Sequence, residues 1–266
     1  MFQRHTHRYL LATGLLAGCA HERAPAPEDL DGLCHYLYAH YDEPRALSEG
    51  MENLGIWLDT AGRGEAAQDG MLLSPFTAEE VAAVARPDRD PQVLIGVALP
   101  WLSPHGVAEH GAVVSEYDQT WNNPGAYLYY NREVVGGDVG AFNRGGGRID
   151  TASEIDMKGA FGVHIPYLLD KAYTWAELDQ GTAFLARASV PEVGCAPSSD
   201  NCLYQSFALD FFYSPDGGDT LRLTAAWNEL VSEADPFLTE EQRIGLMVSG
   251  LRDVFEGTDA YLAGER

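Results

Sequence analysis

Three stretches in the last third of this chain alternate apolar and polar residues with a period of two. Thr182 to Val190 places Phe184, Ala186, Ala188 and Val190 together. Leu203 to Tyr213 does the same with Leu203, Phe207, Leu209, Phe211 and Tyr213, and Thr220 to Trp227 with Leu221, Leu223, Ala225 and Trp227. Successive side chains of a strand point to opposite faces, so each stretch reads as a strand with one apolar face. Asp216-Gly217-Gly218 is turn sequence, and the three stretches together predict an antiparallel meander. A sheet face this apolar has to be covered. A cover follows directly in the sequence. Thr239-Glu240-Glu241-Gln242 is a capping box, the signature of a helix start. Ile244, Met247, Val248, Leu251 and Phe255 then form one helical stripe, which Gly257 is placed to end.

Upstream, Leu30, Leu33, Cys34, Leu37, Tyr38 and Tyr41 recur at helical spacing, Pro44 breaks that helix, and a second helix carries Leu47, Met51, Leu54 and Leu58. Thr77 to Glu80 reads as the capping box of a short helix running to about Ala85. Val93 to Leu99, Gly111 to Tyr117, Ala126 to Arg132 and Arg148 to Met157 read as strands, and Tyr167 to Leu178 as a short helix or a crossover. The fold class is α+β: an antiparallel β-sheet with N-terminal helices and a long C-terminal amphipathic helix packed on the sheet, in a single globular domain over residues 28–266. In element order this resembles the helix-grip, START-like domains. There a curved antiparallel sheet grips a C-terminal helix around an apolar cavity, so the resemblance implies a ligand-binding cavity.

Residues 1–18 carry Arg4 and Arg8, a short apolar run from Tyr9 to Leu16, and small residues at the end. The run is far shorter than the roughly 20 residues that span a bilayer. Leu16-Ala17-Gly18-Cys19 is similar to the lipobox that closes a bacterial lipoprotein signal peptide. That resemblance implies removal of residues 1–18, acylation of Cys19 with palmitate-type chains, and a tether over residues 19–27. It places the protein in the cell envelope. Ala20, where Asp would favour inner-membrane retention, points to the outer membrane, facing the periplasm or the cell surface.

The charge balance agrees with an acyl anchor. The chain has 17 basic and 40 acidic side chains, a formal charge of -23. Removing Arg4 and Arg8 from the 17 leaves 15 basic side chains against 40 acidic ones. Such a surface repels nucleic-acid phosphates and anionic lipid alike, so membrane attachment falls to the N-terminal acyl chains. Of the four cysteines, Cys195 and Cys202 flank a polar, turn-rich loop and read as a local disulfide in an exported protein. Cys34 falls on the apolar side of the first helix and reads as a buried thiol.

Motifs for chemistry are sparse. His105, Glu109 and His110 match neither order of the zinc-peptidase helix motif, no serine sits in Gly-x-Ser-x-Gly, and Cys34 and His35 point apart as helix neighbours. The loops at Gly136-Gly137 and Gly145-Gly146-Gly147 lack the Lys-Ser/Thr of a phosphate loop. No catalytic residue, metal ligand or cofactor is assigned, and the protein reads as non-enzymatic. Asp150, Glu154 and Asp156 alternate on one strand face, which is either solvated or a site for a cation or amine. Tyr117, Trp121, Tyr127, Tyr129 and Tyr130 interleave with Gln119, Asn122 and Asn123, the components of a sugar or apolar-ligand platform. Trp121, Tyr127, Tyr129, Asp150, Glu154 and Phe207 are the candidate ligand-binding residues. The expected function is binding of an apolar or amphipathic ligand at the envelope. The alternatives are an adaptor in an envelope assembly, whose protein partner the sequence does not identify, and a metal-assisted hydrolase using His105, His110 or the Asp150 strand. A cavity of a few hundred cubic ångströms between sheet and C-terminal helix would favour ligand binding.

Overall fold

The computed structural model describes residues 25–64, 67, 69–158, 164–197, 201–231 and 238–265. Cys19, its leader and the first part of the tether lie outside the described residues. Of the tether's last residues, Ala26 is buried. Its N–H donates to Glu49 Oε1 at 3.0 Å, and Asn53 Nδ2 donates to Ala26 O at 3.2 Å and Pro27 O at 3.0 Å. The chain is therefore docked from Ala26 onwards.

Helices α1 (Leu30–Ala39) and α2 (Pro44–Thr60) form as the spacing predicts. Asp29 caps α1 by accepting from Gly32 N–H at 2.8 Å, and Pro44 falls in the first turn of α2, where its missing N–H costs nothing. Among the described residues nine strands build one antiparallel sheet: β1 (Met71–Leu73), β2 (Ile95–Ser103), β3 (Tyr127–Gly137), β4 (Arg148–Lys158), β5 (His164–Leu178), β6 (Gly181–Ser189), β7 (Gly194–Cys195), β8 (Cys202–Ser214) and β9 (Thr220–Val231). Their order is β1-β2-β9-β8-β6-β5-β4-β3, with β7 beside β8. Cys195 and Cys202 face each other across that last pair and are disulfide-bonded. Helix α5 (Glu240–Leu262) closes the chain. Its capping box is formed: Thr239 N–H donates to Gln242 Oε1 at 2.8 Å and Gln242 N–H to Thr239 Oγ1 at 3.2 Å.

Three elements differ from the expectation. Gly111 to Tyr117 is not a strand. Helix α3 (Val107–Val113) covers its start, because Glu109 Oε2 accepts from Gly106 N–H at 2.7 Å and Val107, His110 and Val113 form one buried stripe. Strand β5 replaces the short helix or crossover. Both of its faces are partly covered, which blurs the alternation. Residues 77–85 turn without completing a helix, although Thr77 and Glu80 make their capping bonds. Gly257 does not stop α5. A Cβ there would lie 2.1 Å from Asn122 O, so this glycine admits the turn at residues 120–122 against the helix. A four-residue helix, α4 (Val139–Phe142), links β3 to β4.

The sheet is covered on both faces, and the covers are not where the sequence order suggests. Phe207, Leu209, Phe211 and Tyr213 of β8 and Leu221, Leu223, Ala225 and Trp227 of β9 pack against α1, α2, Phe76 and Val81. Tyr38, Phe76, Phe207 and Trp227 meet there with ring centroids 4.2–6.4 Å apart. The most apolar face thus belongs to the N-terminal helices. Helix α5 packs on the opposite, inner face, and mainly on β2: Val248 and Phe255 against Val97 and Leu99, with Trp101 stacked on Phe255 at 5.6 Å. Beyond β2 the sheet curves away past bulges at Tyr127/Tyr129, Val134/Gly136 and Leu203/Gln205, which bend their strands. A space is left between α5 and the inner face. No described helix is long and apolar enough to cross a membrane.

Candidate functional site

That space is a cavity of about 260 Å³. Its walls follow from register. Thr151, Lys171, Ala188, Ala208 and Ala226 lie in one row across β4, β5, β6, β8 and β9. Ile149, Tyr173, Ala186, Asp210 and Thr224 lie in the next. Alanines in the middle strands leave room, and Lys171, Asp210, Arg132 and Arg222 reach in from around them. Tyr127, Tyr130, Tyr167 and Tyr173 add rings on the β3–β5 side, and Leu251, Val254 and Thr258 of α5 form the roof.

The charged groups are buried and unevenly matched. Lys171 Nζ donates to Asp210, which also accepts from Thr224 Oγ1 at 2.6 Å. Burial works against both charges, but each outweighs that for the other: Asp210 and the nearby Tyr173 and Tyr130 hold the Lys171 pKa above its ordinary value, and Lys171 holds the Asp210 carboxyl below its own. Arg132 donates from Nη1 to Val114 O at 2.7 Å and Gln119 Oε1 at 3.0 Å, and from Nη2 to the Tyr130 hydroxyl at 2.7 Å. All three acceptors are neutral, and its buried Nε has none. Arg222 lies between the rings of Phe212 and Phe255, 4.8 and 4.5 Å from their centroids. Its buried Nε and Nη1 make no hydrogen bond, and Asp259 is 3.8 Å from Nη1, too long for one. Burial pushes the Arg222 pKa down to about 10. The guanidinium is still charged at neutral pH.

Beside Arg222 lies a second buried polar group. Ser103 Oγ is 2.6 Å from Asp259 Oδ1, and the carboxylate can only accept, so the hydroxyl proton points there. His110 Nε2, 2.9 Å from the same Oγ, must then carry its own proton and donate it, which leaves Nδ1 bare and without a partner. Ser103 is fully buried, and its proton is held by a carboxylate rather than an imidazole. This is a packing network, not the arrangement of an activated nucleophile. Among the described residues no group of three or more His, Cys, Asp or Glu is placed to hold a metal ion. Cys34 is fully buried, and burial pushes its thiol pKa up.

Two of the six candidate ligand-binding residues reach the cavity. Trp121 and Tyr127 line it, and they also line an open groove of about 490 Å³ with Glu116, Asp118, Pro124 and Leu128. These two rings form the wall between groove and cavity, and Trp121 stacks on Tyr261 of α5 at 4.5 Å. The bulge after Tyr127 turns Tyr129 to the outer side, where it pairs with Asp156, and brings Tyr130 inward instead. Asp150 and Glu154 have outer-face parity on β4, where Arg148 donates from Nε to Asp150 Oδ1 at 3.0 Å and Glu154 is exposed. Phe207 is fully buried under α1. The four cavity charges were not among the candidates. Their sequence signal is a charged residue inside an apolar strand, as in Leu209-Asp210-Phe211 and Leu221-Arg222-Leu223, and it becomes readable only once the strand order is known.

No family model matches the chain, and no curated protein does. Among solved structures, a protein from Thermus thermophilus aligns at 17% identity and a TM-score of 0.43, over 64% of this chain and 98% of that one. A START superfamily protein from Mycobacterium smegmatis aligns at 9% identity and a TM-score of 0.42, over 64% of this chain and 99% of that one. The Zhui aromatase/cyclase from Streptomyces sp. R1128 aligns at 8% identity and a TM-score of 0.35, over 63% of this chain and 95% of that one. Likeness at this level assigns no function.

Proposed function

We propose that this protein is an envelope lipoprotein, held in the outer membrane by acyl chains on Cys19, that binds a small amphipathic ligand without transforming it. The observation that carries the binding reading is the cavity of about 260 Å³ under α5, with tyrosine rings and alanines on one part of its wall and buried charges on another. Small-ligand sites combine an apolar lining with a few placed polar groups in this way. The lipobox and the strongly acidic body support the anchor. The adaptor alternative has less behind it. Tyr117, Leu128 and Val135 are exposed in or beside the edge strand β3, but they are scattered side chains of the kind any surface carries.

The test is to purify the full chain from its native membrane, extract it with organic solvent and analyse the extract by mass spectrometry. Wild type is expected to release one small molecule per chain. Ala208→Phe, which fills the cavity, is expected to release none while still folding. Release of nothing from wild type, or of the same molecule from a folded Ala208→Phe, would overturn the cavity reading. In the same preparation Cys19→Ala is expected to move the protein out of the membrane pellet, and retention there would overturn the anchor.

A further inference from the structure

The charges around the cavity do not balance. Among the described lining residues, Arg132, Lys171 and Arg222 are cations and Asp210 is the one carboxylate. Counting Asp259 beside Arg222 still leaves three cations against two anions. Both carboxylates are already engaged. Asp210 takes Lys171 and Thr224. Asp259 takes Trp101 Nε1 at 2.8 Å and Ser103 Oγ at 2.6 Å. Arg222 is 4% exposed, yet two of its nitrogens have no acceptor.

This is not a shortage of acids. The chain has 40 of them, and elsewhere it matches a buried guanidinium directly: Arg187, on the outer face, donates from Nη2 to Asp42 Oδ2 at 2.6 Å. A guanidinium offers a planar fork of donors that fits a carboxylate with two parallel hydrogen bonds. We infer that the cavity takes the carboxylate of a small organic monoacid, with Arg222 as the residue that binds its head. The inference rests on the reading of the cavity as a binding site and adds the ligand's charge and the group that recognises it. One uncancelled positive charge calls for a monoanion. The volume suits a tail of roughly a dozen non-hydrogen atoms, by comparison with a ~150 Å³ cavity that holds benzene. The phenyl rings flanking Arg222 and the tyrosines of β3–β5 give that tail aromatic and aliphatic contacts.

The experiment is calorimetry on the full chain with three molecules of matched shape: 3-phenylpropionate, 3-phenylpropan-1-ol and 3-phenylpropylamine. The acid is expected to bind at least tenfold more tightly than the alcohol, and the amine more weakly than either. In Arg222→Met the acid and the alcohol are expected to bind within about twofold of each other, with the alcohol's affinity as in wild type, which shows that the cavity is intact. Equal binding of acid and alcohol by wild type would overturn the inference and leave the cavity reading standing. An acid preference that survives in Arg222→Met would overturn the assignment to Arg222. Binding of none of the three would overturn both readings.

Discussion

The two faces of the sheet come from the same strands and treat their polar residues in opposite ways. On the outer face the aromatic group of Tyr38, Phe76, Phe207 and Trp227 is packed ring against ring. The cation buried there, Arg187, lies over the Tyr41 ring at 4.5 Å with the Asp42 carboxylate against it. On the inner face, one residue away along each strand, the side chains are Ala208, Asp210, Phe212, Arg222 and Thr224. Helix α5 rests on β2 and leaves a cavity beside these positions. Close packing and matched charge stabilise a fold. A hollow with an unmatched guanidinium does the reverse, so the inner face is where stability has been given up for binding. The outer face is a core, and the inner face is a site.

That contrast is broken most directly at Trp227. Its ring lies 4.2 Å from Phe76, and its Nε1 donates to Ser74 O at 2.9 Å. Trp227→Ala leaves a large void in a region with no space to collapse into and orphans a carbonyl. The expected loss is about 3–5 kcal/mol in urea unfolding. A loss below about 1 kcal/mol would mean that the outer face is not the main core. Ligand affinity, measured where the variant is still folded, is expected to be unchanged, because Trp227 points away from the cavity.

The elements of this comparison were unequally legible. Strands β6, β8 and β9 and helices α1, α2 and α5 follow from periodicity because each has one strongly apolar side. Strand β5 does not: Lys171, Tyr173 and Trp175 face one way and Ala172, Thr174 and Ala176 the other, and cover on both sides removes the contrast that alternation depends on. The apolar stripe of β8 and β9 was readable, but its cover was not, since a stripe does not say which helix packs on it. The site suffered from the same ambiguity. Asp210, Arg222 and Thr224 occupy the polar side of their strands, and a polar side reads the same whether it meets water or an enclosed cavity. Trp121 and Tyr127 could be read from the aromatic run. Tyr129 fell on the other side through a bulge that no residue pattern announced.

A smaller effect sharpens the comparison through pH. Burial, together with Arg222 and His105, pushes the His110 pKa down to about 2, from the 6.5 of an exposed imidazole. Between those values the unfolded chain binds one more proton than the folded chain. Stability therefore rises with pH across the window and falls on acidification below about pH 6.5. The slope expected from this one group is about 1.4 kcal/mol per pH unit. His110→Gln, whose side-chain amide can still donate to Ser103, is expected to remove that part of the slope. Urea midpoints of wild type and variant between pH 7 and pH 5 measure it, and parallel curves would mean that His110 is not held neutral in the folded protein.

The smallest expected effect on stability is at Arg222, and its smallness is what distinguishes a binding residue from a core residue of similar burial. Removing one member of a matched buried pair strands the other and costs several kcal/mol. Arg222→Met strands nothing. Asp259 keeps its bonds from Trp101 and Ser103, and Asp210 keeps Lys171 and Thr224. The thioether takes the place of the guanidinium between Phe212 and Phe255, where sulfur–ring contacts are favourable. Thermal unfolding without ligand is therefore expected to show no loss, and a gain of up to about 2 kcal/mol, as found when uncompensated buried charge is replaced by apolar side chains of similar size. A loss of about 2 kcal/mol or more would mean that Arg222 is a structural cation like Arg187, and the distinction drawn between the two faces would fail at the residue on which it most depends.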